Sequence, residues 1–494
     1  MSNRIWILVA LLCMSVTLKA GEIISIAPVL PAEKTLKWWM PRFKSVKAKA
    51  AKGGYEVVFL GDSITHGWES RGKNVWAKYF ADGPYKALNG GFSGDCTENL
   101  LWRLDNGMLD GLSPKVFVLL IGTNNTGRRK IENERPLDTV LGVIAVVERL
   151  RSKFPKAKII MHPIFPRGQK SGNPLRKRND VVNRALSLIC KYRLKDSVLW
   201  CNLNDMLQNK DGSLEKAVFG DFLHPGELGY EIWAKELVGY LDFALGKSSK
   251  CPEMKLPPAG HSNRPCDPVI STRWFERNTQ PRLLVKRKEV LEQSGKQVDL
   301  VMIGDSITHR WEYPSPRGGK GVQDAKLNGL NILNLGFGGD GTQSLLWVLE
   351  HGGALDGYKA RNVTLLIGTN NIWRYDPASI AEGIKVLVEF IRQKQPTAKV
   401  LLMPILPRES PGRTGAEEAL AKIPEINRLI APLADGENVH LMDLYKSFLD
   451  NKGLPNRGLY ADITIHPNAK GYEIWAEAIL AEMKTLLSPR DASR

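Results

Sequence analysis

The chain has few cysteines and comparatively few acidic residues for its length. Six cysteines among 494 residues cannot hold a fold together, so a hydrophobic core must do so. No spacing of cysteine and histidine resembles a zinc site. After residue 18, no stretch reaches the ~18 consecutive apolar residues of a membrane-spanning helix, so we expect no stable membrane insertion. The 52 acidic residues against 69 basic ones leave a net charge of +17, which favours anionic partners or surfaces.

The N-terminus has the pattern of a cleaved leader. Arg4 precedes a nearly unbroken apolar run over residues 5–18, and the small Ala20 follows. This pattern predicts a signal peptide at residues 1–20 and a secreted or periplasmic protein, with a membrane anchor as the alternative.

Export would permit disulfides, and Cys190 with Cys201, or Cys251 with Cys266, could pair; Cys96 would then be left over.

Comparison of the chain with itself reveals one pattern that occurs twice. Gly-Asp-Ser-Ile-Thr-His begins at Gly61 and at Gly304, and Ile-Gly-Thr-Asn-Asn and Gly-Tyr-Glu-Ile-Trp-Ala also recur. The repeats lie roughly 245 residues apart, which is the length of a whole domain. We therefore expect one domain over residues 21–246, a linker rich in Ser, Lys and Pro over 247–268, and a second domain over 269–494.

Each copy alternates apolar strands with segments of helical period. Continuous apolar runs are predicted as strands at 57–60, 116–121, 158–164 and 198–203, and at 300–303, 363–367, 400–405 and 439–444. Helices are predicted between them, for example over 139–154 and 378–394. Buried strands separated by helices indicate a parallel sheet covered on both faces. The predicted fold is two tandem three-layer α/β sandwiches, each with a parallel sheet of about five strands.

Polar residues follow the ends of these strands, where parallel α/β sheets place their sites. Ser63 comes after the first strand, and its hydroxyl suits a nucleophile. A glycine-rich block over 89–95 precedes a helix, Asn124 follows another strand, and Asp221 stands three residues before His224. Each pattern alone is also typical of an ordinary turn or helix cap. Together, and repeated, they favour a serine nucleophile whose proton is accepted by a histidine that the Asp orients.

In this order the motifs resemble the SGNH (GDSL) hydrolase family over both domains. The first copy is most similar to the catalytic subunits of the platelet-activating-factor acetylhydrolase Ib type, through residues 94–97, 101–104, 166–168 and 173–176. The resemblance implies Ser63 as nucleophile, His224 as general base and Asp221 as its orienting partner. The backbone N–H groups of Ser63 and Gly94 and the side chain of Asn124 would form the oxyanion hole. It implies no metal and no organic cofactor.

In the second copy the resemblance implies a matching set of Ser306, Gly339, Asn370 and His466. Here the acid and the base are four residues apart, since Asp462 is followed by Ile-Thr-Ile before His466. In a helical turn one extra residue rotates a side chain by about 100°. The second site is therefore either active with an altered loop or impaired.

Other residues are expected to have structural roles. His66 and His309 are predicted to cap or pack. Trp102 and Trp347 are predicted to pack a helix onto the sheet. The basic clusters at 128–130 and 176–178 are predicted to be solvated surface.

The expected function is that of a secreted serine esterase that removes short acyl groups, acetyl above all. Two alternatives stay open: a carbohydrate O-acetylesterase that acts on glycans, or one active domain beside a degenerate glycan-binding domain. The expected partner is a small-molecule or glycan ester. Nucleic acid is not expected, since no nucleic-acid module is recognised. The acyl length, the alcohol and the oligomeric state are left open by the sequence.

Overall fold

The structure, a computed structural model, describes residues 27–81, 83–131, 134–255, 264–271 and 280–486. Its contacts divide the chain into two units, Met1–Pro258 and Ala259–Arg494. The division falls inside the stretch predicted as a linker, whereas the predicted leader at 1–20 lies outside the described residues. Among the helices of the described ranges, none is both long and apolar enough to cross a bilayer.

The first unit is built on a five-stranded sheet in which all strands are parallel. Its strands are β1 Val57–Gly61, β2 Ala87–Gly91, β3 Val116–Leu120, β4 Lys158–Met161 and β5 Val198–Trp200. They lie in the order β2-β1-β3-β4-β5. The flanking helices are α1 Trp39–Ala51, α2 Ser63–His66, α3 Lys73–Trp76, α4 Thr97–Asp105, α5 Thr123–Arg128, α6 Pro136–Lys153, α7 Pro174–Ile189 and α8 Glu227–Ala244.

The second unit repeats this arrangement. Its strands are β6 Gln297–Gly304, β7 Ile332–Gly336, β8 Lys359–Leu366, β9 Lys399–Leu402 and β10 Val439–Leu441, in the order β7-β6-β8-β9-β10. Its helices are α9 Gln280–Glu292, α10 Ser306–His309, α11 Lys320–Lys326, α12 Thr342–Gly352, α13 Pro377–Lys394, α14 Ala416–Ile430 and α15 Ala469–Leu486. The predicted α/β class and the parallel sheets of five strands are confirmed.

The sequence did not mark β2 and β7 as strands. β2 reads Ala-Leu-Asn-Gly-Gly, and its two glycines have weak intrinsic preference for a strand. It forms because it pairs in register along the whole of β1, from Val57 opposite Ala87 to Gly61 opposite Gly91. The glycine-rich block predicted to lie against a ligand is therefore partly strand, and the loop begins only after Gly91.

The C-terminal helix of each unit holds the short helix that carries the candidate nucleophile. Tyr230 of α8 is buried and donates from its hydroxyl to the carbonyl of Ile64, at 2.7 Å. Tyr472 of α15 makes the same 2.7 Å bond to Ile307. The repeated Gly-Tyr-Glu-Ile-Trp-Ala motif is thus explained by packing. Buried Tyr and Trp supply large apolar surfaces whose polar ends need a partner.

All five cysteines in the described ranges are free thiols. Cys190 and Cys201 are buried and not bridged, and neither pairing considered from the sequence is formed. Trp102 packs mainly against Trp39 and Phe43 of α1, with ring centroids 5.3 Å apart in each case. These ring contacts join the helix of Trp102 to α1.

Candidate active site

The candidate nucleophile of the first unit stands at the end of the strand between β2 and β3. β1 ends at Gly61, Asp62 caps the next helix, and Ser63 is the first residue of that helix. Any side chain at Gly61 would collide with the Leu120 carbonyl and with the Thr65 side chain, so this sharp turn requires glycine. The turn places the serine at the carboxyl edge of the sheet.

Asp62 stabilises this turn from within the protein. It is 1% exposed, and its carboxylate accepts a 2.9 Å hydrogen bond from the backbone N–H of Ile64. Burial raises the pKa of Asp62 to about 7, although that hydrogen bond opposes the shift. Asp305 has the same environment, and burial raises its pKa to about 7. In each copy, the Asp of Gly-Asp-Ser belongs to the scaffold of the turn.

In the first unit the three predicted polar groups form a chain of contacts. The Ser63 hydroxyl oxygen lies 2.9 Å from Nε2 of His224. Nδ1 of the same ring lies 2.7 Å from Oδ2 of Asp221. A proton on Nδ1 that points to the carboxylate leaves Nε2 free to accept the serine proton. Ser63 and His224 are 161 residues apart in the sequence, and only the fold brings them together.

The Asp221 carboxylate is held ionised by its neighbours. Its Oδ1 accepts hydrogen bonds from the backbone N–H groups of Leu223 and His224, at 3.1 and 2.7 Å. Burial on its own would raise the pKa of Asp221, but these bonds and the contact with the imidazole outweigh it and lower the pKa to about 2. At neutral pH the group is a carboxylate that orients the His224 ring.

The second unit forms the same chain despite its extra residue. Nε2 of His466 lies 2.8 Å from the hydroxyl of Ser306, and Nδ1 of His466 contacts Oδ2 of Asp462. Oδ1 of Asp462 accepts from the backbone N–H groups of Ile465 and His466, at 3.1 and 3.0 Å, as Asp221 does in the first unit.

A bulge absorbs the additional residue. Ile463 projects outward and is 57% exposed, whereas Thr464 is fully buried. Thr464 adopts a positive φ of 46°, and Phe222, two residues before His224, has a φ of 57°. Both loops therefore make the same turn before the histidine. The rotation expected for a helical turn does not occur, because this segment is a loop.

The surroundings of His466 oppose its protonation. Burial lowers the pKa of His466, the contact with Asp462 raises it, and Arg310 lowers it again. The net effect is a pKa below the ordinary value of 6.5. A neutral imidazole is the form that accepts a proton, so His466 is available as a base at neutral pH.

The glycine loop and the asparagine of each unit are joined by a hydrogen bond. Gly94 and Gly339 have positive φ angles of 75° and 80°, which glycine adopts without strain. The side-chain amide of Asn124 donates to the carbonyl of Asp95 at 2.9 Å, and that of Asn370 donates to Asp340 at 2.8 Å. Each amide has a second N–H, which remains available for a developing negative charge.

Two further residues hold this loop; both lie in segments that carry the family resemblance, but the sequence assigned them no role. Asp95 is fully buried and accepts from Trp39 Nε1 at 2.7 Å and from Arg103 Nε at 2.9 Å. Arg103, also fully buried, donates to the carbonyls of Gly90 and Gly61, at 2.8 and 3.3 Å. One guanidinium thus ties the ends of β1 and β2 to the glycine loop. The only signal in the sequence was an acid and a base eight residues apart.

His66 also contacts the loop. Its Nδ1 lies 2.9 Å from the Ser93 hydroxyl and accepts a 3.3 Å hydrogen bond from the Ser93 backbone N–H. Burial, followed by the charge of Arg42, lowers the pKa of His66 to about 4, so the ring is neutral. This is the packing role that the sequence favoured. In the second unit Gly338 replaces Ser93, so His309 has no such hydroxyl partner.

The basic clusters are less solvated than the sequence indicated. Arg129 pairs with Glu98 and Glu134. Arg178 is largely buried and donates to the carbonyls of Thr126 and Glu134, at 2.7 and 2.6 Å. The expectation of solvated surface is therefore wrong for these two residues. They fix the segment that follows Asn124.

Within the described ranges, no group of three or more His, Cys, Asp and Glu side chains is placed to hold a metal ion. Burial raises the pKa of Cys96, beside the glycine loop, far above its ordinary value, so this cysteine is a neutral thiol.

Known proteins resemble both units. The model of the GDSL-like Lipase/Acylhydrolase family matches residues 59–232 and 302–474. The Platelet-activating factor acetylhydrolase IB subunit beta homolog of Drosophila melanogaster is 34% identical over 206 residues, which cover 41% of this chain and 84% of that protein. The human subunit alpha2 of the same enzyme is 35% identical over 183 residues, or 37% of this chain and 74% of that protein. A solved structure described as a putative platelet activating factor from Streptococcus pneumonia covers 43% of this chain and 95% of its own, with 20% identity and a TM-score of 0.35.

Proposed function

The chain belongs to the GDSL-like lipase/acylhydrolase family of carboxylic ester hydrolases, and we propose that it removes short acyl groups at two serine centres, one in each unit. The observation that carries the proposal is the contact chain from hydroxyl to imidazole to carboxylate, present at Ser63 and again at Ser306. Acetyl is the expected acyl group, since curated relatives of this chain are named acetylhydrolases.

The proposed reaction at the first centre starts with the serine hydroxyl. Its oxygen attacks the ester carbonyl carbon while its proton moves to Nε2 of His224. The oxyanion that forms accepts hydrogen bonds from the backbone N–H groups of Ser63 and Gly94 and from the side chain of Asn124. Asp221 stabilises the imidazolium and keeps the ring oriented.

The intermediate then collapses in two stages. The bond from the carbonyl carbon to the alcohol oxygen breaks, and the alcohol leaves with the proton from His224. Water attacks the resulting acyl-serine and gives a proton to the same nitrogen. The bond to Ser63 breaks, the acid departs, and the serine oxygen takes the proton back. Atoms and charges balance over the cycle, and no cofactor is consumed.

Serine replacement tests the proposal directly. We expect hydrolysis of p-nitrophenyl acetate to exceed that of the butyrate and octanoate esters. Ser63→Ala and Ser306→Ala should each remove one part of the activity, and the double variant should remove nearly all of it. Ser70→Ala is the matched control, since its hydroxyl donates only to the nearby Gly67 carbonyl. An unchanged rate in the double variant would refute serine catalysis at both centres.

The second unit is proposed as a catalytic domain rather than a degenerate binding domain. Its contact chain at His466 supports this, and labelling by a fluorophosphonate separates the two possibilities. Labelling of both Ser63 and Ser306 supports two enzymes, whereas labelling of Ser63 alone supports a binding role for the second unit. A carbohydrate ester stays a hypothesis for the alcohol. Faster release of acetate from acetylated xylose than from an acetylated glycerol ether would favour it.

Export is proposed from residues 1–20. Cleavage after Ala20 would leave a mature chain that begins at Gly21. N-terminal sequencing of the protein after expression in its own host tests this, and a chain that retains Met1 would contradict it.

A further inference from the structure

The two centres differ at one position beside the oxyanion loop. After the shared Asn-Asn pair, the first unit continues with Thr126, Gly127 and Arg128, whereas the second continues with Ile372, Trp373 and Arg374. Glycine in one copy and tryptophan in the other alter the space next to the proposed oxyanion hole. The rest of each centre is nearly the same, so each unit serves as a reference for the other.

In the first unit this space is bordered by two guanidinium groups. A Cβ added at Gly94 would collide with the Arg128 guanidinium, and one added at Gly127 would collide with Nη1 of Arg167. Arg167 also donates to the backbone carbonyl and the hydroxyl of Thr123, at 3.0 and 3.3 Å, as Arg408 does to Thr369 in the second unit. Neither arginine forms an ion pair with an acidic residue of the described ranges, and the Arg128 guanidinium lies directly against Gly94.

A third cation adds to this charge. Lys34 donates to the carbonyl of Gly94 and lies 3.7 Å from the Asp95 carboxylate. That carboxylate is already paired with Arg103, so the surroundings of Gly94 keep an excess of positive charge. In the second unit the matching position is held by Ser271. The segment that precedes this position is held in the same way in both copies, by a hydrogen bond to the carbonyl of Pro28 in the first and of Pro265 in the second.

In the second unit the same space is occupied. The guanidinium of Arg413 lies 3.3 Å from the centroid of the Trp373 ring, and that of Arg408 lies 5.6 Å from it. Arg408 also donates to the Thr369 hydroxyl at 2.9 Å. Two cations of this copy, Arg408 and Arg413, therefore lie against the Trp373 indole ring, an arrangement for which the first unit has no counterpart at Gly127.

The electrostatic field at the turn that carries the nucleophile also differs between the two units. Burial dominates the pKa of Asp62, but both Arg167 and Arg128 act on it in the opposite direction. On Asp305, Arg408 is the cation that opposes the burial effect. The charge of Arg128 therefore acts on the residue before Ser63.

We propose that the first centre takes esters that carry an anionic group, a carboxylate or phosphate, beside the ester bond, whereas the second centre takes neutral esters. Two guanidinium groups with unused donors suit such an anion, because they offer paired N–H groups to planar or tetrahedral oxygens. Gly127 lets the Arg167 guanidinium lie directly against the backbone, whereas in the other copy the Trp373 ring lies against the guanidinium groups of Arg408 and Arg413. The inference rests on the proposed function and names the substrate class of each site.

The test uses single-centre enzymes: Ser306→Ala leaves the first centre and Ser63→Ala leaves the second. Two matched pairs of esters place the charge on either side of the bond. 4-Acetoxybenzoate and its methyl ester differ in charge on the alcohol side. Mono-p-nitrophenyl succinate and p-nitrophenyl valerate differ in charge on the acyl side. The measured quantity is the ratio of kcat/KM for the anionic ester to that for the neutral ester, at low salt.

In at least one pair we expect this ratio to be about tenfold or more higher at the first centre, the size of a charge-assisted hydrogen bond. Arg128→Gln or Gly127→Trp, in the Ser306→Ala background, should lower the ratio. Lys130→Gln removes an exposed charge two residues away and is the matched control. Thermal melting of each variant shows that it is folded.

Equal ratios at the two centres in both pairs would overturn the inference. So would an equal loss in Lys130→Gln and Arg128→Gln, because the preference would then reflect overall charge. These outcomes leave the proposed function intact, since the neutral esters are still hydrolysed. Absence of hydrolysis by both single-centre enzymes, for every ester, would overturn the proposed function and this inference together.

Discussion

Two neighbouring asparagines in the first unit allow a sharp test of the proposed oxyanion hole. Asn124 is partly buried and uses one amide N–H on the Asp95 carbonyl, at 2.9 Å, which leaves the other for the substrate. Asn125 is fully buried and faces the scaffold. It accepts from the Thr97 backbone N–H at 3.0 Å and donates to the Thr97 hydroxyl at 3.2 Å. The two side chains are alike in chemistry and differ in direction.

Asn124→Ala, in the Ser306→Ala background, should lower kcat by about 10²–10³, or roughly 3–4 kcal/mol, the usual effect of losing one oxyanion donor. Its stability should fall by only about 1 kcal/mol, because one hydrogen bond to a carbonyl is lost. Asn125→Ala should do the reverse. This substitution leaves the buried Thr97 N–H without an acceptor. The stability of the variant should therefore fall by about 1–3 kcal/mol, while its kcat stays within about threefold.

Steady-state kinetics with p-nitrophenyl acetate and urea unfolding of the same preparations measure both effects. The reasoning fails if folded Asn124→Ala keeps its kcat within threefold. It also fails if the two variants lose kcat equally, since both asparagines would then act only through the scaffold.

Three other predictions concern the second unit. Deletion of Ile463, the exposed bulge residue, should leave the Asp462 to His466 contact in place and change kcat of the Ser63→Ala enzyme by less than about fivefold; a hundredfold loss would show that the bulge positions the acid. Because burial lowers the pKa of His466, the acid limb of kcat/KM for the same enzyme should have its midpoint below pH 6.5, and a midpoint above 6.5 would contradict this. Burial raises the pKa of Asp305 from 3.8 to about 7, so the folded protein loses stability as pH rises from 4 to 7, by up to about 4 kcal/mol. The melting temperature of Asp305→Asn relative to wild type should therefore increase over that range, and a constant difference would disprove the buried charge.

Much of the fold could be predicted from the sequence because hydrophobic period and strand ends are local properties. The helix predicted over 378–394 is observed at Pro377–Lys394, and the one predicted over 139–154 at Pro136–Lys153. β2 and β7 were missed, since a glycine-rich strand is stabilised by its neighbour and not by its own residues. The supporting contacts of Asp95 and Arg103 were missed for the same reason.

The spacing of the second acid and base shows where sequence reasoning ends. A separation of four residues implied a rotated Asp462 if the segment were helical. The structure instead forms a loop in which Thr464 takes a positive φ and Ile463 turns to solvent. Burial of Thr464, and its hydroxyl contact with the Glu409 backbone N–H at 2.5 Å, select that conformation. This loop conformation depends on contacts with residues distant in the sequence, which the spacing of Asp462 and His466 does not reveal.

The sequence by itself determined the duplication, the α/β class and which polar residues follow the strands, because each is written in residue type and order. Only the tertiary structure decided which of those residues meet. The 2.9 Å approach of Ser63 and His224, the 2.8 Å approach of Ser306 and His466, and the contacts of Arg167 with Gly127 and of Arg413 with Trp373 all join segments that are separated in the chain. Distances of this kind are set by how helices pack on a sheet, and packing is a property of the whole fold.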